Sequence, residues 1–287
     1  MNSQDKIKGI IFILLAALGF SLMTFFVRIS GDLPTMQKAF FRNFVALIVA
    51  SSAIIKSGKG IHIGKGNRLD VFLRCAFGTS GLIANFYAID RLGIADANML
   101  NKLSPFFAII LSIFILKEVP SKFDILTTII AFIGALFIIR PTGAFTAVFP
   151  ALMGLFGGFG AGTAYVFVRK VTNKGVQTAI VVFAFSLFSC LVTLPFLIIN
   201  YVPMTPLQWL YLFLAGVSAS LGQFSITTAY KYAPAKEISV FDYTQVIFAA
   251  MLGIIFLGEV PEALSIIGYA IIIGVAIIRW HRNLKAA

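Results

Sequence analysis

The chain has 287 residues, of which 59% are hydrophobic and 12% are charged, and its mean hydropathy is +0.96. Soluble domains carry about 25% charged residues, so this composition excludes an ordinary water-soluble domain and predicts an integral membrane protein. Because about 20 apolar residues cross a bilayer as a helix, the length accommodates ten helices with short connections.

Apolar runs bounded by charged residues, glycine or proline divide the chain into ten predicted membrane-spanning helices. The longest connection is the basic stretch Lys56–Arg68. Cys75 and Cys190 lie inside apolar runs without metal-ligand spacing, so we expect them to behave as small buried hydrophobic residues. The predicted spans are residues 8–28, 36–55, 70–89, 94–116, 122–140, 147–169, 177–199, 207–230, 236–257 and 263–280.

The formal net charge of +12 is explained by the predicted orientation in the membrane and does not require a nucleic-acid partner. Lys and Arg residues close to helix ends stay on the cytoplasmic side. With a cytoplasmic N-terminus, seventeen of the 23 Lys and Arg residues lie on that side and six on the other. We therefore predict a multi-pass protein of the cytoplasmic membrane with both termini in the cytoplasm.

One segment of the first half occurs again in the second half. Adding 141 to each residue number aligns Leu92–Pro120 with Ala233–Pro261 without a gap. Eight of the fourteen positions from Phe107 to Pro120 are identical to their counterparts. Such agreement at a constant offset indicates an internal duplication.

The same offset aligns Gly19 with Gly160 and Gly81 with Gly222, so the duplication extends well beyond that segment. Each copy holds five predicted spans, and an odd number of spans gives the second copy the opposite orientation in the membrane. The sequence therefore predicts an all-α integral membrane protein with ten transmembrane helices arranged as two inverted five-helix repeats. The predicted repeats are residues 1–141 and 147–282.

Polar side chains occupy one face of predicted span four. Asn98, Asn101, Lys102 and Pro105 follow the spacing of a single helix face. Pro105 cannot donate a hydrogen bond to the carbonyl of Asn101, which leaves that acceptor free. A charge as deep in the membrane as Lys102 is costly unless it faces a wet cavity or a partner. We therefore expect this face to line a central cavity.

The equivalent face of predicted span nine carries Asp242 and Tyr243, with Gln245 beside them. Two readings of these charges stay open: Lys102 and Asp242 bind substrate, or they pair with each other or with the backbone. Polar amides in membrane helices either line a cavity or hold helices together. The full predicted substrate-binding set is Arg42, Asn85, Asn98, Asn101, Lys102, Tyr165, Gln223, Asp242, Tyr243 and Gln245.

Two five-span halves, ending in FFAIILSIFILKEVP and IFAAMLGIIFLGEVP, resemble the drug/metabolite transporter superfamily and, within it, the EamA type. This resemblance covers nearly the whole chain. It implies a cavity between helices one, three, four, six, eight and nine, and transport of a small polar metabolite without ATP. One feature departs from the small multidrug exporters of the superfamily, which have a carboxylate in the first helix, because Ile10–Val27 contains none.

Our first hypothesis is a secondary transporter for a small carboxylate-bearing or zwitterionic metabolite, such as an amino acid or an organic anion. In it, Lys102 and Arg42 attract the anion, Asn98, Asn101 and Gln245 orient it, and Tyr165 and Tyr243 form the walls. Asp242 then meets a substrate amine or carries a proton, so protons or a counter-substrate are candidate coupling partners. A monomer contains both repeats and suffices, and a dimer is compatible with the sequence.

The alternatives are an exporter of lipophilic or cationic drugs, with Asp242 as its only essential charge, and a flippase for a lipid-linked metabolite. The chain contains no nucleophile–base pair and no metal-ligand set, so we predict no enzymatic activity, no cofactor and no bound metal.

Overall fold

The computed structural model describes residues 3–58, 60–92, 98, 100–139, 148–258 and 263–285, and these ranges contain helices but no strand. Ten of the helices have 13 residues or more, which confirms the all-α, ten-helix prediction. They are α1 (Ser3–Ile29), α2 (Thr35–Ser57), α3 (Arg68–Leu92), α4 (Ser104–Leu116), α5 (Lys122–Ile139), α6 (Val148–Asn173), α7 (Thr178–Ile199), α8 (Pro206–Tyr232), α9 (Thr244–Leu257) and α10 (Ala263–Lys285).

Large apolar side chains cover the outside of the helix bundle. Phe114, Ile199 and Ile255 are 75%, 76% and 65% exposed, whereas many charged and amide side chains are buried inside. This distribution suits a hydrocarbon solvent and would be unstable in water. Seven described segments are long and apolar enough to cross a membrane: Gln4–Ile29, Thr35–Ser57, Val148–Asn173, Thr178–Ile199, Pro206–Tyr232, Ala235–Leu257 and Ala263–Arg282.

Segment four is not the continuous helix 94–116 that the sequence predicted. Its described residues Asn98, Leu100 and Asn101 are helical, a turn follows at Lys102–Leu103, and α4 begins at Ser104. Pro105 explains the break, because it has no N–H to continue the helical ladder to the carbonyl of Asn101. At about 1.5 Å per residue, the 13 residues of α4 span only about 20 Å, so this helix alone is too short for a bilayer.

Segment nine is broken in the corresponding place and also corrects the predicted helix 236–257. A short helix, Ala235–Ile238, is followed by a 3-10 stretch, Ser239–Tyr243, and then by α9. The tighter winding is supported at Thr244, whose hydroxyl donates to the carbonyl of Phe241 at 2.7 Å. Paired breaks in inverted repeats bring unwound backbone and half-helix ends to the middle of a membrane transporter.

The two repeats pack against each other through helices related by the duplication. α1 packs along α8, and their counterparts α6 and α3 pack along each other. Glycines permit both close approaches: a Cβ on Gly19 would lie 2.6 Å from the backbone nitrogen of Gly222, and a Cβ on Gly160 would lie 2.8 Å from Cα of Gly81. Gly19 and Gly160, which the duplication aligns, thus occupy equivalent positions in the two contacts, and so do their partners Gly222 and Gly81.

The outer pairs, α2 with α7 and α5 with α10, each join a helix to its own repeat counterpart. The symmetry is incomplete at one point. α6 packs against α8, while α1 and α3, their counterparts, make no comparable contact in the described ranges. The bundle is therefore packed more tightly between α6 and α8 than between α1 and α3.

We expect Gly160→Ala to lower the melting temperature of the detergent-purified protein by several degrees. The new methyl group would meet the carbonyl oxygen of Phe77 at 2.7 Å and the backbone of Gly81, and overpacking of this kind typically costs about 1–3 kcal/mol. Gly274→Ala is the matched control, because no atom lies within 4 Å of its added Cβ. Equal melting temperatures for the two variants would contradict the close α3–α6 contact.

Candidate functional site

The ammonium group of Lys102 lies where the two broken segments meet. Its Nζ is 3.2 Å from Oδ2 of Asp242, 2.7 Å from Oε1 of Gln245, and 3.5 Å from the backbone oxygen of Asp242. Lys102 is 9% exposed and Asp242 7%. The structure therefore pairs the two charges, one of the two arrangements that the sequence left open.

Tyr243 ties the same two breaks together from the other side. Its hydroxyl donates to the carbonyl oxygen of Lys102 at 3.1 Å, and the side chain is fully buried. Lys102 and Tyr243 are repeat counterparts, so this hydrogen bond joins equivalent positions of the two broken segments. The sequence analysis expected Tyr243 to form a wall of the substrate cavity. In this conformation its side chain connects the two broken segments instead.

Arg42 lies inside the bundle on α2 and is 5% exposed. Its Nε is buried without a hydrogen-bond partner, and no carboxylate among the described residues pairs with it. The Tyr165 ring is stacked on Tyr230 with 5.1 Å between centroids.

The predicted amides fall into two groups. Asn98 and Asn101 are partly buried beside the first break, and their side chains form no hydrogen bond with another described residue. Asn85 packs against Gly157 of α6, where its Oδ1 is buried without a partner. Gln223 accepts a hydrogen bond from a buried arginine. The substrate-binding role of these residues stays a prediction.

That arginine, Arg74 on α3, is a residue that the sequence analysis missed, since it was counted among the basic groups of the cytoplasmic side. It is only 2% exposed, and its Nη2 donates to Oε1 of Gln223 at 3.1 Å. Its position was the available signal: Arg74 lies six residues after the start of α3, about 9 Å into the helix, comparable to the depth of Arg42 in α2.

Ion pairs join the helices at one end of the bundle, which we call the terminal end because it carries Ser3 and Lys285. Arg169 Nε lies 2.6 Å from Glu118, and Lys6 Nζ lies 3.4 Å from Glu237. Further ionic contacts at this end are Asp70 with Lys170 and Lys174, each at 2.8 Å, and Asp124 with Arg279. The pairs link residues of both repeats, so they hold this end closed.

Two cavities in the described ranges lie toward the opposite end. One lies between α1 and α9, with Ser21, Thr24 and Gly253 in its lining, and has a volume of about 70 Å³. The other, of about 670 Å³, lies between the start of α2, the second half of α3 and the end of α7. Together with the packing of α6 on α8, these cavities describe a bundle closed at the terminal end and more open at the other.

Comparison with known proteins gives consistent results over nearly the full length. The sequence model described as "EamA-like transporter family" matches twice, over residues 7–140 and 148–280. The Pseudopaline exporter CntI of Pseudomonas aeruginosa (strain UCBPP-PA14) is 30% identical over 284 residues, covering 98% of this chain and 99% of that protein. Solute carrier family 35 member G1 of Homo sapiens is 27% identical over 296 residues, covering 96% of this chain and 81% of that protein.

A chain in a solved crystal structure also has the same fold. It superposes with a TM-score of 0.84 and covers 97% of this chain and 98% of that chain, with 17% sequence identity. At this identity the likeness concerns the fold alone.

We expect thiol labelling to distinguish the two ends of the bundle. Cys75 and Cys190, both buried and free, would first be replaced by alanine. In that background, a water-soluble maleimide should label Thr24→Cys rapidly, because position 24 is exposed and lines a cavity. Ser239→Cys, at a position that is 1% exposed and follows the terminal-end helix Ala235–Ile238, should react at least tenfold more slowly, by analogy with the large protection that burial gives a reactive group.

Adding Glu118→Gln to the Ser239→Cys variant should raise its labelling rate, since the substitution removes the charge that holds Arg169. Equal labelling of positions 24 and 239 in the parent background would contradict a closed terminal end.

Proposed function

Because the chain belongs to the EamA-like transporter family, we propose that it moves a small carboxylate-bearing metabolite across the cytoplasmic membrane by secondary active transport. The family membership makes it a membrane transporter; the substrate class and the mechanism are our proposal. The observation that carries the proposal is the guanidinium group of Arg42, which is buried inside the bundle and pairs with no carboxylate among the described residues.

Arg42 suits an incoming anion better than a structural role. An isolated buried charge is costly, and proteins normally compensate it with an ion pair or with several hydrogen bonds. Arg42 has neither among the described residues, and its Nε is buried without an acceptor. A planar guanidinium binds a carboxylate through two parallel hydrogen bonds, so a substrate carboxylate would supply both the charge and the acceptors that are missing.

The Lys102–Asp242 pair gives the site a second, switchable element. A zwitterionic substrate could exchange partners with it, its carboxylate turning to Lys102 and its amine to Asp242. Protonation of Asp242 would likewise release the Lys102 ammonium for an anion, which makes Asp242 a candidate coupling group. Gln245 already contacts Lys102 at 2.7 Å and would orient the bound group, together with Asn98 and Asn101. In this scheme Asn85 and Tyr165 line the path of the substrate through the bundle.

The asymmetric closure of the bundle supports alternating access. Two inverted repeats of similar sequence can exchange conformations, which closes one side as the other opens. The excess of Lys and Arg at the terminal end supports a cytoplasmic location for both termini. On that orientation the described conformation is more open toward the outside than toward the cytoplasm. The name of the Pseudomonas relatives, which are exporters, favours export as the direction.

Both repeats belong to one chain, so a monomer suffices for this cycle. The repeat bounds 1–141 and 147–282 stay a prediction.

A cationic drug is a weaker candidate substrate. Asp242 would have to bind the cation, and its carboxylate is already paired with Lys102. The guanidinium group of Arg42 is also buried inside the bundle and would repel a positively charged substrate. The drug-exporter hypothesis is therefore the second choice, and no contact in the described ranges favours the flippase.

A metabolite panel measured by thermal stabilisation tests the proposal, because a ligand that binds only the folded protein raises its melting temperature. We expect carboxylates or amino acids to stabilise the wild-type protein. Arg42→Gln and Lys102→Ala should each weaken that binding by about 10- to 100-fold, the range expected for a charged hydrogen bond. Arg68→Gln, which removes an exposed arginine at the start of α3, is the control and should bind normally.

Stabilisation by hydrophobic cations alone, abolished by Asp242→Asn, would instead establish the drug-exporter hypothesis. Full transport by Arg42→Gln and Lys102→Ala would contradict the anion site.

A further inference from the structure

Four arginines are buried in the described part of the bundle, and they fall into two pairs. Arg169 contacts Glu118 and the carbonyl of Tyr230, and Arg279 contacts Asp124 and the carbonyl of Lys236. Each of these two therefore has a carboxylate and a backbone acceptor, the arrangement expected of a structural ion pair. Arg42 and Arg74 have no carboxylate among the described residues.

The surroundings of Arg74 form a compartment built for a guanidinium group. Its Cζ lies 4.1 Å from the centroid of the Phe185 ring, a cation–π contact on one face. Gly78, one turn later on α3, leaves the space that the group occupies, since a Cβ there would meet Nη1 of Arg74 and lie 2.9 Å from Phe185. The side chain is thus held in place by packing and not by a counter-ion.

Most hydrogen-bond donors of Arg74 remain unused. A guanidinium has five N–H donors in a fixed fork, and in the described ranges Arg74 makes one side-chain bond, to the neutral amide oxygen of Gln223 at 3.1 Å. Its Nε is buried without a partner. Both an anionic acceptor and a second hydrogen bond are missing, and a carboxylate would provide the two together.

We propose that Arg74 and Gln223 form a second anion subsite, and that the substrate therefore carries at least two carboxylates. This inference rests on the proposed function and specifies its substrate class. Arg42 and Arg74 are both buried inside the bundle, on the consecutive helices α2 and α3, and in this proposal one small molecule bridges the two guanidiniums.

The charges of the centre support the same class of substrate. Lys102 is compensated by Asp242, the one described carboxylate that lies away from both ends of the bundle. The positive charges of Arg42 and Arg74 then remain, and a dianion neutralises both. Gln223 accepts from Arg74 now, and its amide NH₂ is available to donate to a bound carboxylate.

The test compares matched ligands that differ by one carboxylate: glutamate with glutamine, succinate with succinamate, and citrate with its monoamide. Dissociation constants would be obtained from thermal stabilisation of the purified full-length protein. We expect the dicarboxylates and the tricarboxylate to bind the wild type at least tenfold more tightly than their amides. Arg74→Gln should abolish this preference while changing the affinity for the amides less than threefold.

Two further variants keep the test informative if Arg74→Gln fails to fold. Gln223→Glu places a carboxylate next to Arg74 with little change of shape, and it should also remove the preference. Arg74→Lys keeps the charge without the fork and should retain part of it. Arg68→Gln, on the exposed first turn of the same helix, is the control and should behave as the wild type.

Each outcome decides between the two proposals. If the preference for the additional carboxylate is absent in the wild type, or persists in both Arg74→Gln and Gln223→Glu, the second subsite is wrong while the carboxylate transporter stands. If no carboxylate of any kind stabilises the wild type, the proposed function itself is wrong.

Discussion

The Lys102 ammonium joins the two halves of the protein at their centre, 3.2 Å from the carboxylate of Asp242 and 2.7 Å from the side-chain oxygen of Gln245. Both partners belong to the second repeat, and Tyr243 of that repeat in turn donates to the carbonyl of Lys102. These bonds are possible because each helix is interrupted at this level, which exposes backbone acceptors inside the bundle. A charge in an apolar environment is tolerated only with such compensation.

Helix packing around this centre depends on closely approaching backbones. Between membrane helices, van der Waals contact contributes much of the attraction, and small residues allow the helices to come close. The contacts of Gly19 with Gly222 and of Gly160 with Gly81 meet this condition once in each symmetric interface. The duplication therefore produces two matched contacts, and the proposed exchange between two conformations needs them to be nearly equivalent.

The charged groups divide according to how they are compensated. At the terminal end, Arg169 and Arg279 are satisfied by Glu118 and Asp124, and these pairs connect helices that would separate if this end opened. At the centre, Arg42 and Arg74 lack carboxylates in the described ranges. A satisfied pair stabilises one conformation of the protein, whereas an uncompensated cation gains most from a bound ligand. Arginine thus closes the terminal end through ion pairs, and in our proposal it binds the substrate inside the bundle.

Several of these features follow from the sequence because they depend on local composition or on register. Ten apolar runs specify ten helices, and the constant offset of 141 with five spans in each copy specifies the inversion. The polar faces of segments four and nine also identified Lys102 and Asp242 as central, since charged residues in an apolar run are costly wherever the fold places them. The break at Lys102 could have been predicted, because the sequence already showed that Pro105 cannot donate a hydrogen bond to the carbonyl of Asn101.

Other features were decided only by the tertiary structure. The sequence marked Arg74 as one more basic residue close to a cytoplasmic helix end, and the fold buried it against Phe185 and Gln223, which lie 111 and 149 positions later in the chain. The tertiary structure likewise gives Arg169 a carboxylate partner and leaves Arg42 without one in the described ranges. The physical reason is that periodicity shows which face of a helix is polar, while the partner of each charge depends on which helices of the two repeats come together.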